Sequence, residues 1–190
     1  AALVRRALAA ENLTATADAG ALTAELESML AVLYTAPLWA ALRGATEALR
    51  EVDFALAAGP ATVIGQIDLL YRDAGGDWHI VDYKSDRLDG ADVAAHARRY
   101  ETQMLAYATA AERFLSADGD APTVADATLY FLRTGQTHVI DLSGDALSEA
   151  ERRLSGTARR LVAARRAGRF ERCGADACAA CRYRRLCGRV

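Results

Sequence analysis

The sequence predicts an α/β domain, a mixed central β-sheet flanked by α-helices. Three observations predict it. Helical periodicity fills the first 46 residues and returns twice later. Three strand-like runs follow one another between residues 52 and 84. Two further strands lie beyond a long alanine-rich helix. The 190 residues suit one domain with a sizeable core. A hydrophobic content of 52% argues against disorder. No run approaches the ~18 uninterrupted apolar residues of a membrane span.

Residues 2–12 and 19–33 read as amphipathic helices, the second with Leu22, Leu26, Met29, Leu30 and Leu33 at helical spacing. Thr35-Ala36-Pro37 ends it, and a short helical piece covers 38–46. Then the period changes. Val52, Phe54 and Leu56 alternate as in a half-buried strand, and Gly59-Pro60 marks a turn. Residues 63–71 form a second strand, 73–77 a hairpin-type loop and 78–84 a third strand. Residues 91–117 read as one long helix. Strands at 124–133 and 137–142 join at Thr134-Gly135-Gln136, and a helix from 145 to 168 follows. The expected division is an N-terminal helical part (1–46), a core (47–168) and a cysteine-rich basic tail (169–190). The start lacks both Met and a signal peptide, so a piece of a longer, cytoplasmic polypeptide is expected.

Charge is distributed unevenly. Residues 1–150 carry 11 basic and 22 acidic side chains, net −11; residues 151–190 carry 12 arginines and 3 acids, net +9. A basic C-terminal segment can bind a polyanion such as nucleic acid, or its arginines simply face water. Of the 23 cations only Lys84 is a lysine, in a sequence otherwise biased to arginine and alanine. A compact amine is wanted there where a planar guanidinium would not serve.

Lys84 has company. Asp68 sits in an apolar strand between Ile67 and Leu69, and Asp82 follows Ile80-Val81. Burying a carboxylate costs several kcal/mol unless something compensates it. Lys84, two residues past Asp82, projects from the same strand face. If strands 63–71 and 78–84 pair through the loop, Asp68 and Asp82 lie side by side. Two close carboxylates need a cation. Mg²⁺ suits them, because it takes hard oxygen ligands and keeps several waters; Mn²⁺ would substitute. Such an ion polarises a phosphoryl oxygen and generates hydroxide, while the lysine positions water or offsets phosphate charge. The competing explanation is a buried Asp–Lys ion pair with Asp68 capping a turn. It accounts for one of these residues more easily than for all three.

These residues carry a family resemblance. Gly65-Gln66-Ile67-Asp68-Leu69-Leu70-Tyr71, then Trp78-His79-Ile80-Val81-Asp82-Tyr83-Lys84-Ser85-Asp86, resembles the signature of PD-(D/E)XK nucleases. More narrowly it is similar to the RecB/AddA branch, whose cores read G-x-IDL and then DYK-[ST]. Tyr100-x-x-Gln103-x-x-x-Tyr107 matches that branch's helix motif, and Arg50-Glu51-Val52-Asp53-Phe54 resembles its preceding strand. The resemblance implies a restriction-endonuclease-like core and Mg²⁺-dependent cleavage of DNA phosphodiesters. It implies Asp68, Asp82 and the backbone carbonyl of Tyr83 as metal ligands, with Lys84 as the catalytic lysine. Glu51, Gln103 and Tyr107 would support the site or contact DNA. The branch usually has a metal-binding His on an early helix, and no such His is found here. His79, His96 and His138 read as ordinary histidines; the missing one is expected to precede residue 1.

All four cysteines fall in the tail, as Cys173-x4-Cys178-x2-Cys181-x5-Cys187. Clustering of this kind reads as a metal or cluster site rather than a disulfide framework. The last three resemble the tail of AddB-type nucleases, where three such cysteines join one far upstream around a [4Fe–4S] cluster. Here Cys173 or a cysteine outside the chain supplies the fourth thiolate. Zn²⁺ and free thiols remain the other possibilities.

The expected activity is therefore that of a DNA exonuclease domain. It would act on DNA, single-stranded when fed from a helicase domain of the same polypeptide, with a partner subunit and without membrane attachment. Repair of double-strand breaks by recombination at the nucleoid is the implied setting. The alternative is a catalytically silent DNA-binding or assembly module of the same fold.

Overall fold

Two turn signals divide residues 47–84 into three β-prone runs, and these form an antiparallel meander. β1 (Glu47–Ala58) and β2 (Ala61–Arg72) join through Gly59-Pro60. Gly59 takes a φ of +59°, which the first central position of a two-residue hairpin turn requires and a side chain disfavours. β2 and β3 (Trp78–Lys84) join through residues 73–77, where Asp73 Oδ1 accepts the Asp77 amide at 3.0 Å. The computed structural model describes residues 2–11, 19–88, 90, 92–116 and 123–170.

Three helices precede the meander: α1 (Ala2–Ala10), α2 (Ala19–Thr35) and α3 (Pro37–Gly44). After it come α4 (Val93–Ala97), a 3-10 turn (Arg98–Tyr100) and α5 (Glu101–Leu115). β4 (Val124–Phe131), β5 (Gln136–Ile140) and α6 (Ala146–Ala167) complete the order. The sheet runs β1-β2-β3-β4-β5. Only β3 and β4 are parallel, because the crossover through α4 and α5 returns the chain in the same direction. The sheet is thus mixed and flanked by helices, as the sequence predicts.

Two differences from the expected elements have physical causes. The helix expected over 91–117 is interrupted: Asp92 caps α4 by accepting the Ala94 amide at 3.1 Å, and the 3-10 turn tightens the chain before α5. The first strand is longer than the alternation of 52–56 suggests. Glu47–Arg50 add to β2 through backbone pairing, with Glu47 and Arg50 exposed and Ala48 and Leu49 half-buried.

Helices cover both faces of the central strands, so β3 and the second half of β2 are almost uniformly buried. On one face Ile67, Leu70, Ile80, Leu129 and Phe131 pack against Met104, Ala108 and Ala111 of α5. On the other, Leu69, Tyr71, Val81 and Tyr130 meet Leu33 of α2 and Leu38 and Leu42 of α3. Each fully buried Leu, Ile or Phe contributes about 1.5–3 kcal/mol. α6 packs on α5 and on β1 and β2. No helix among the described residues is long and apolar enough to cross a membrane.

Candidate active site

The site forms where β2 and β3 part. Their ladder runs from Arg72↔Trp78 to Leu69↔Val81 and stops. Beyond it, Asp68 Oδ2 accepts the Tyr83 backbone amide at 2.8 Å. The carboxylate takes the place of a backbone partner and holds the fork open. The β1–β2 pairing also skips a residue here. Arg50↔Leu69 and Val52↔Ile67 pair, with Glu51 and Asp68 between them unpaired. Glu51 has a φ of +52°, rare for a residue other than glycine and costing about 1–2 kcal/mol. The consequence shows in the packing. Leu49 and Val52 pack against the same core face although they are three residues apart, and Ile67 and Leu70 both belong to it. Both strands therefore switch side at Glu51 and Asp68, and the switch frees Asp68 from the apolar row.

Asp82 lies next in register and is 1% exposed. Its Oδ2 forms an ion pair with Lys84 Nζ, while no well-oriented hydrogen bond reaches that oxygen. Burial pushes the Asp82 carboxyl above its ordinary range, the Asp68 charge adds to this, and Lys84 opposes it. Gln103 of α5 bridges the pair: its Oε1 accepts from Lys84 Nζ at 3.3 Å, and its Nε2 reaches Asp82 Oδ1 at 3.4 Å. The same amide donates to the Tyr107 hydroxyl at 2.6 Å. Burial raises the Tyr107 pKa. The Phe54 ring lies edge to face with Tyr107, 5.5 Å between centroids, and covers Gly65 on the adjacent strand. The glycine of the G-x-IDL run thus has a packing role.

The Lys84 ammonium sits 4.3 Å from the centre of the Tyr100 ring, within cation–π range. The Tyr100 hydroxyl donates to Asp86 Oδ2, and His96 Nε2 is 3.2 Å from the same oxygen. Burial and the Asp86 contact push Tyr100 up to about 12; the Tyr100 bond pulls Asp86 down. Tyr100 belongs to the helix motif read from the sequence, whereas its partners Asp86 and His96 were not legible as part of the site. The available signal was Asp86 on Lys84's strand parity and His96 one helical turn before Tyr100. His79 lies elsewhere, stacked on Tyr71 with Nδ1 2.7 Å from Asp126 Oδ2. His138 stands on β5, two strands from Asp82 and level with it through Leu129, and has no contact with the cluster among those described. Cys173, Cys178, Cys181 and Cys187 lie outside the described residues.

The structure thus gathers Asp68, Asp82, Lys84, Gln103 and Tyr107 at one end of the sheet, with Glu51 at the strand switch. The PD-(D/E)XK nuclease superfamily model matches residues 1–188. The chain belongs to this superfamily. Among solved structures, it is similar to the Eubacterium rectale protein named "Putative exonuclease", with a TM-score of 0.53 and 15% identity over 90% of this chain. It spans 62% of the length of that protein. It is also similar to SSO0001, with a TM-score of 0.51 and 16% identity, covering 96% of this chain and 76% of that one. These likenesses support the restriction-endonuclease-like PD-(D/E)XK fold. No curated protein matches.

PD-(D/E)XK nucleases generally use divalent metals such as Mg²⁺, and the donors here fit one. Among the described residues no group of three His, Cys, Asp or Glu side chains converges as a closed metal cage. The two carboxylates Asp68 and Asp82 are an open set, which suits an ion that retains waters. The buried Asp82 Oδ2 is paired with the Lys84 ammonium but receives no well-oriented hydrogen bond, so it keeps acceptor capacity for a second cation.

Proposed function

We propose that the chain is a Mg²⁺-dependent DNA nuclease acting on single strands. We assign it to the RecB/AddA type, as the nuclease domain of a helicase–nuclease that works with a partner subunit in double-strand-break repair and recombination at the nucleoid. One observation carries the reading: Asp82, Lys84 and Gln103 form a bonded cluster beside a second carboxylate that props open the β2–β3 fork.

Asp68, Asp82 and the Tyr83 carbonyl would hold the ion, which when bound supplies Lewis acidity and a more acidic water. Hydrolysis forms one phosphorus–oxygen bond to water and breaks the bond to the leaving oxygen, which takes up a proton. Lys84 faces the charge that develops on the phosphoryl oxygens; its compact ammonium has three donors, and the described partners Asp82 and Gln103 leave capacity for a substrate oxygen. Gln103 fixes the distance between ammonium and carboxylate. Tyr107 fixes the amide of Gln103, and Glu51 shapes the strand switch that presents Asp68.

The test is cleavage of labelled single-stranded DNA, with Mg²⁺ or EDTA, by the wild type, Asp82→Ala and Lys84→Ala. Cleavage should require Mg²⁺ and vanish in Asp82→Ala. Lys84→Ala should lose about 10²–10⁴-fold in rate while keeping its fold and its DNA binding in EDTA. Unchanged cleavage in Lys84→Ala would overturn the assignment. DNA binding without cleavage in the wild type would favour the silent module. The same reading gives Cys173, Cys178, Cys181 and Cys187 to a structural [4Fe–4S] cluster. Iron, sulfide and zinc analysis of anaerobically purified protein distinguishes the cluster from zinc and from free thiols.

A further inference from the structure

A pocket of about 200 Å³ lies on the sheet face opposite Gln103, between α3 and the strands. Trp39 and Arg43 of α3, Arg50 of β1, Asp68 of β2 and Tyr83 of β3 line it. Asp68 connects this pocket with the cluster around Lys84: it lines the pocket, binds the Tyr83 amide and raises the Asp82 carboxyl. The pocket and the reactive cluster are therefore neighbours across one carboxylate.

We propose that this pocket seats one nucleotide of the single-stranded DNA substrate, its base on Trp39 and its phosphate between Arg43 and Arg50. The inference rests on the nuclease reading for the identity of the strand. Charge favours a phosphate. Residues 1–150 carry net −11, yet here two exposed guanidiniums face one carboxylate. Arg87, Arg113, Arg133 and Arg152 are tied into ion pairs, whereas Arg43 and Arg50 have none among the described residues. Free guanidinium forks match phosphate oxygens in geometry and charge. Shape favours a base. Trp39 is half-buried and held by an edge contact with Tyr34, 4.7 Å between centroids. An indole anchored in this way is a sequence-tolerant stacking platform.

Trp39 also reports on its own occupancy. The chain has two tryptophans, and Trp78 is buried in β3. Oligo(dT) titrated into the wild type in EDTA should quench the fluorescence, and Trp39→Phe should abolish the quenching. Arg43→Ala and Arg50→Ala should each raise the Kd for oligo(dT) about tenfold. With Mg²⁺, the loss in Arg43→Ala should fall on KM rather than on kcat. Wild type that cleaves oligo(dT) without quenching overturns the pocket and leaves the nuclease reading standing, as does an unchanged Kd in both arginine variants. Quenching without cleavage supports the pocket and overturns the nuclease reading. Neither quenching nor cleavage overturns both.

Discussion

Asp82 sits in a conflict between burial and charge, and the conflict has a sign. Its carboxyl is pushed up by burial and by Asp68, against the pull of Lys84. A carboxyl whose pKa rises on folding favours the folded state while it is protonated. That contribution is fully present below the pKa of the unfolded chain and is lost as pH rises through the folded value. Wherever it is ionised, Asp82 is therefore a burden on the fold. Asp82→Asn should melt at a higher temperature than the wild type at neutral pH, with the difference shrinking in acid, although it destroys the proposed site. Thermal melts of both proteins across that pH range check this. A lower melting temperature for Asp82→Asn at neutral pH would mean that pairing with Lys84 outweighs burial. Lys84 was readable because it is the sole lysine, and Asp82 because a charge amid Ile80 and Val81 needs an explanation. Asp86 and His96 were not, because only the folded crossover brings them onto Tyr100, the first residue of the helix motif.

Strands and helices show the same division. β3 runs over Trp78–Lys84, the span its apolar run and flanking turn residues indicate. The 3-10 turn at Arg98–Tyr100 hid inside a pattern that reads as continuous helix. The side switch at Glu51 and Asp68 was equally hidden. A positive φ at a glutamate is imposed by the surrounding sheet and leaves no trace in composition. Pairing of β1 with β2 also explains Gly65. It faces Phe54, and a Cβ there would come within 2.7 Å of the ring. The ring is backed by Tyr107 and has little room to give. Gly65→Ala should therefore cost about 1–3 kcal/mol in stability. It should also lower cleavage through Tyr107 and Gln103. Denaturant unfolding measures the first effect and turnover the second. A full-stability, fully active variant would show that Phe54 yields freely.

The whole fold has a reserve of stability that its ligand would release. Two carboxylates converge at the fork, so a bound cation removes their mutual repulsion as well as adding its own bonds. At Mg²⁺ concentrations near 100 times its Kd, the folded state gains about 2.7 kcal/mol. In a chain of this size that raises the melting temperature by roughly 5–10 °C. Asp68→Ala and Asp82→Ala should lose the rise, and equal shifts in all three proteins would place Mg²⁺ elsewhere. Glu51 has a separate effect at the rim of the sheet. β1 is twelve residues long and, among the described residues, pairs with a strand only on its β2 side. A long straight border of free amides and carbonyls invites a second copy to add on. The left-handed residue Glu51 breaks that border into two shorter lengths, Glu47–Arg50 and Val52–Ala58. The backbone irregularity that presents Asp68 to its partners therefore also protects the chain from self-association.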